Sequence, residues 1–202
     1  MNARITSIVS ASTLVLAVAS AHAAITGTTG LALQIGPPPA CVPGALTGAT
    51  AFAWDEAANR GFAGLADMIN NPASNGTAIP GPVAGVFDSH FIHFEGIPGI
   101  IGVGGTVSFN NPIVAVMFLQ PNLDASDAPL GAFGTVYPTG QPFRGVTAAS
   151  FFSIAGNTLT FQLSSTALPN DVEQIRVLTQ VPAPGAAALL GVGGLLAARR
   201  RR

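Results

Sequence analysis

The chain has 202 residues, of which 49% are hydrophobic and only 8% charged, so one domain with an ample core is expected beside the chain ends. Lysine is absent, and the near-neutral total hides a split: Arg60, Arg144 and Arg176 stand among nine acids in the body, while Arg4 and Arg199 to Arg202 lie at the two ends. An acidic body with three scattered arginines offers no stripe for phosphates and excludes nucleic acid as a partner, and the lone Cys41 excludes a disulfide scaffold.

In chain order, Arg4 precedes an apolar stretch from Ile5 to Ala19, followed by Ala21-His22-Ala23. A charge, an apolar core and a small-x-small end predict a secretory signal peptide over 1–23, cut after Ala23 to leave Ala24 as the mature start. Cys41 lies well past that point and is expected as a small buried hydrophobe. Ala49 to Trp54 predicts a strand. Gly64 to Ile69 is the best helical candidate, and Asn70 to Pro82, rich in proline and asparagine, predicts a surface loop.

Val83 to Phe94 predicts another strand, and it carries the one constellation suited to chemistry: Asp88, His90, His93 and Glu95. Histidine and carboxylate ligands suit zinc or another transition metal. Strand alternation sends Asp88 and His90 to one face and His93 and Glu95 to the other, so a shared site requires a bulge between Phe91 and Ile92. The expectation is two hydrogen-bonded histidines in a central strand, with no metal and no cofactor.

Val107 and Phe109 alternate until Asn110-Asn111-Pro112 breaks the strand, and Ile113 to Leu119 is a continuous apolar run, as in a strand covered on both faces. Asp124 and Asp127 after Pro121 offer hard oxygens for calcium without the spacing of a calcium loop, and Asx residues capping a turn account for them equally. Gly134 to Tyr137 predicts a further strand. Gly156-Asn157 predicts a tight hairpin before Thr158 to Ser164, where Leu159, Phe161 and Leu163 share one face. Glu173 to Val177 repeats the pattern, with Ile175 and Val177 inward and Gln174 and Arg176 outward. Trp54 and Tyr137 are expected in the core. No Gly-x-Ser-x-Gly elbow, phosphate loop or dinucleotide fingerprint occurs, so no enzyme is expected. Many short strands divided by 24 glycines and 16 prolines predict an all-β domain over 24–180, a β-sandwich or jelly roll.

The last 22 residues, 181–202, follow another pattern: Val181-Pro182-Ala183-Pro184, an apolar stretch from Ala186 to Ala198, then Arg199, Arg200, Arg201 and Arg202. The prolines enforce an extended strip, the apolar helix is short of the roughly 20 residues needed to span a bilayer, and the arginines keep the end cytoplasmic. This order resembles the PEP-CTERM sorting signal of exported bacterial proteins, with Ala183 where the family usually has glutamate. The resemblance implies an exosortase as partner, transient anchoring in the inner membrane, and a final place at the cell surface or in a biofilm matrix rich in exopolysaccharide. Trp54-Asp55-Glu56, Asp88 to Glu95, Leu123 to Asp127, Leu130-Gly131 and Gln174 to Val177 resemble a body domain found in such surface proteins and imply no catalytic role. The expected function is therefore a non-catalytic surface or matrix protein. A carbohydrate-binding module is the alternative, and a metal-dependent hydrolase built on Asp88, His90, His93 and Glu95 stands behind it.

Overall fold

Alternating residues need a partner strand on each edge and cover on at least one face, and this chain meets both needs with two sheets. The computed structural model of the protein describes residues 22–69, 79–98, 102–165 and 171–181. The predicted signal peptide through Ala21, most of the Asn70 to Pro82 loop, Pro182 to Pro184, the C-terminal apolar helix and Arg199 to Arg202 lie outside the described residues. A single compact unit runs from Ala21 to Pro182.

The elements are β1 (Ile25–Gly30), β2 (Ala32–Gln34), β3 (Ala51–Ala66), β4 (Met68–Ile69), β5 (Gly81–Phe94), β6 (Gly102–Phe109), β7 (Ile113–Met117), α1 (Gln120–Leu130), β8 (Arg144–Gly145), β9 (Phe151–Ala155), β10 (Thr158–Ser164) and β11 (Val172–Gln180). The smaller sheet is antiparallel, in the order β1-β6-β10-β9. The larger runs β2-β3-β5-β11-β7-β4, with β8 beside β11. The body is thus all-β, as the alternation predicts. The predicted hairpin joins β9 to β10, where Gly156 adopts φ +62° at the first turn position.

Between the sheets, Val107, Phe109, Leu159, Phe161 and Leu163 meet Ile92, Phe94, Val116, Ile175 and Val177 in one core. The other face of the larger sheet is covered as well: Trp54, Phe91, Met117 and Leu178 pack with Cys41 and with Leu123 and Leu130 of α1. Cover on both faces explains why β11 is buried at every position from Val172 to Thr179. Cys41 is fully buried, and burial pushes its thiol up to about 12.

Four expectations are corrected. Gly64 to Ile69 is not a helix: it closes β3 and forms β4, because Gly81, Pro82 and Val83 of β5 and Ala115 and Val116 of β7 offer ladder partners that outweigh weak local helix preference. The helix lies instead at Gln120–Leu130, around Asp124 and Asp127. Pro121 sits in its first turn, where no amide partner is lost, and Leu123, Ser126 and Leu130 form its buried stripe. Its entry has no side-chain cap of its own; Asp67, between β3 and β4, accepts the N–H groups of Phe118 (2.6 Å) and Leu119 (2.8 Å). Gly134 to Tyr137 is not a strand: only Val136 bridges, to Ala40, and Gly134 turns the chain at φ +86°. Gln174 and Arg176 do point away from Ile175 and Val177, but both are fully buried beneath α1 and its flanking loops.

Candidate functional site

Alternation on β11 sets Gln174, Arg176 and Leu178 on the helix-facing side of the larger sheet. A buried guanidinium must find partners for five N–H donors, and two elements, β3 and α1, converge to supply them. Arg176 donates from Nε to Glu56 Oε2 (2.7 Å) and from Nη2 to Glu56 Oε1 (2.8 Å), a two-pronged pair with β3. From α1 it takes Asp127 Oδ1 (3.1 Å) on Nη2, and the Leu123 carbonyl (3.2 Å) and Ser126 hydroxyl on Nη1. The guanidinium also lies over the rings of Phe91 and Tyr137, 4.9 and 5.2 Å from their centres. Burial opposes its charge, but Glu56 and then Asp127 outweigh that and hold its pKa above the ordinary arginine value. The Tyr137 hydroxyl donates to Glu56 Oε1 at 2.5 Å; burial, then the charge of Glu56, raises its pKa above the usual phenol.

A second arginine extends this cluster. Arg144 of β8 donates from Nη1 to Asp124 Oδ1 (2.7 Å) and Asp127 Oδ2 (2.6 Å), from Nη2 to Asp127 Oδ1 (2.8 Å), and from Nε to Gln174 Oε1 (2.7 Å). Gln174 in turn donates to the Cys41 carbonyl (3.0 Å) and to His93 Nδ1 (3.0 Å). Asp124 and Asp127, predicted as calcium candidates or turn caps, are therefore ion-paired to arginine.

The four residues weighed for a metal do not converge. β5 runs in unbroken register with β11 from Phe87 to Phe94, so the bulge that a shared site requires is absent there. His90 faces the smaller sheet, with Nδ1 2.7 Å from Asp55 Oδ1, Nε2 3.0 Å from Thr179 Oγ1, and its ring on Phe109. Asp88, on the same side, accepts the N–H of Asn59 (2.6 Å) and that of Ala23. His93 faces the helix side, fully buried, and burial pulls its pKa down to about 4. Glu95 lies beyond β5 and accepts the Gly44 amide at 2.8 Å; partial burial raises its pKa, against the lowering effect of that bond. Among the described residues, no group of three or more His, Cys, Asp or Glu is placed to hold a metal. No helix among them is long and apolar enough to cross a membrane.

Sequence reasoning passed over Glu173, which is buried on the inter-sheet side. Its carboxylate takes the Thr147 amide (3.2 Å to each oxygen) and the Ser150 hydroxyl (2.7 Å), while Ser150 Oγ accepts the Ser164 N–H of β10 at 2.8 Å. This chain of bonds ties the two sheets together. Burial raises Glu173 to about 7, despite those donors. Above it, two adjoining clefts of about 340 and 380 Å³ share Val146 and Thr147. Phe143 lines one and Phe151 the other, 55% and 50% exposed.

Fold and site together define a two-sheet, all-β domain fastened by a buried arginine–carboxylate cluster. No family model, no curated protein and no solved structure matches the chain.

Replacing Arg176 with methionine leaves Glu56 buried without its countercharge and should cost about 3–5 kcal/mol in urea unfolding. The double variant R176M/E56M should recover most of that loss; a double variant as unstable as R176M would refute the pairing.

Glu173 and His93 set opposite pH slopes. Glu173 holds its proton to a higher pH folded than unfolded, so it costs stability as pH rises from 4.5 through 7. His93 resists protonation, so it costs stability as pH falls from 6.5 through 4. The melting temperature of Glu173→Gln should therefore gain on that of the parent as pH climbs from 4.5 to 7. A difference independent of pH would contradict the burial of an ionisable Glu173.

Proposed function

We propose that the protein is an exported, non-catalytic surface or matrix component, handed to an exosortase through Val181, Pro182, Ala183 and Pro184. The observation that carries this reading is where β11 ends, at Gln180. The last backbone bond of β11 runs from the Gln180 N–H to the Pro112 carbonyl (3.0 Å), and the proline motif begins at the next residue. The motif therefore lies outside β11, which is held by β5 on one edge and by β7 and β8 on the other. The apolar stretch from Ala186 to Ala198 is short of a comfortable span, and Arg199 to Arg202 lock its end on the cytoplasmic side, so the anchor is transient. The acidic body then faces outward.

The chemistry of the body supports display over catalysis. Glu56, Asp124, Asp127, Arg144 and Arg176 are bound to one another, and His93 is neutral and buried. Mass spectrometry of the native envelope and medium fractions should find a mature chain ending near Pro182 to Pro184. A mature chain that still carries Arg199 to Arg202 would overturn the sorting role and leave an ordinary anchored protein.

A second reading, in which the body holds exopolysaccharide, is favoured by the exposed aromatic faces of Phe143 and Phe151 at the paired clefts. Sugar rings stack on such faces, and an exposed apolar patch rimmed by polar groups marks a binding surface. The F143A/F151A variant should elute at least severalfold earlier from a column of immobilised exopolysaccharide, with unfolding changed by no more than about 0.5 kcal/mol. Equal retention of variant and parent would count against this reading.

A further inference from the structure

The two residues preceding the expected mature start are built into the domain. Ala23 is buried, at 6% exposure, and its N–H donates to Asp88 Oδ2, a carboxylate that is itself 1% exposed. On the other side, the Asn110 side chain clasps the same segment as a neighbouring strand would. Its Nδ2 donates to the His22 carbonyl at 3.0 Å and its Oδ1 accepts the Ala24 N–H at 2.8 Å, while the Asn110 backbone N–H donates to the Ala24 carbonyl at 3.1 Å. The His22 ring adds a contact, with Nδ1 3.0 Å from Asn59 Nδ2, and the Asn59 N–H donates to Asp88 Oδ1 at 2.6 Å. Asp88, Asn59 and Asn110 thus form a clasp around His22 and Ala23.

We propose that the leader is cut between Ala21 and His22, so that the exported chain opens with His22-Ala23. This inference rests on the export reading. Cleavage after Ala23 discards the His22 carbonyl and the Ala23 amide, leaving a buried carboxylate short of one donor and the Asn110 amide short of one acceptor. A hydrogen bond to a buried charged group is worth about tenfold to a hundredfold in the folding equilibrium. Cleavage two residues earlier keeps every one of these bonds. Ala19 and Ala21 supply the small residues that the peptidase requires, as Ala21 and Ala23 do for the later cut. In the hydrolysis the bond from the Ala21 carbonyl carbon to the His22 nitrogen breaks. Water supplies the oxygen of the Ala21 carboxylate and the proton on the new His22 amine.

The test is the N-terminus of the full-length chain expressed with its own leader in a secreting bacterium and recovered outside the cytoplasm, read by peptide mass spectrometry. A mature chain beginning at His22 is the expected result. A chain beginning at Ala24 overturns the inference and leaves export standing, whereas one that retains Met1 overturns both.

Discussion

The structure depends on keeping a full positive charge, Arg176, in the middle of its central strand. An isolated guanidinium in that position is prohibitively costly, so the surrounding elements are arranged around its donors. β3 supplies Glu56, α1 supplies Asp127, Ser126 and a carbonyl, and the segment after α1 brings Tyr137 to Glu56. Glu56 and Ser126 are buried and Asp127 and Tyr137 partly so, and displacing any element strands the others. Burial of charge here acts less as net stabilisation than as a constraint on how α1 docks.

That constraint makes the two faces of the larger sheet unlike each other. The inter-sheet face is largely aliphatic and aromatic, with Asp88, His90, Glu173 and Thr179 among its polar intrusions. The helix face interleaves apolar side chains with the arginine cluster. A purely apolar second face would let α1 slide, whereas paired charges fix its register against Glu56 and Arg144. Asp67 serves the same end, holding the Phe118 and Leu119 amides just ahead of the helix from the turn between β3 and β4.

On the proposed reading, a body whose arginine–carboxylate cluster lies inside suits display. The outward-facing surface carries exposed aromatics such as Phe133, Phe143 and Phe151, and β11 is pinned along both edges up to the last residue before the proline motif. On the proposed reading, processing after β11 therefore need not disturb the core.

Much of the fold was legible in the sequence. Leu159, Phe161 and Leu163 on alternate positions, the Gly156-Asn157 turn and the apolar run from Ile113 declare strands because side-chain direction along a strand is a local property. The helix was not legible: Pro121, Pro129 and two aspartates look like turn chemistry, and Asp67, which fixes that entry, lies 51 and 52 residues from the amides it holds. The candidate site was half legible. Alternation assigns Gln174 and Arg176 to one face, and Asp88 and His90 to the face opposite His93, but it does not say whether a face meets water or another layer. The sequence by itself determined which residues share a face and where strands begin and turn. Only the tertiary structure decided that the polar face of β11 lies inside, because burial depends on what packs over a strand, and that cover comes from parts of the chain distant in sequence.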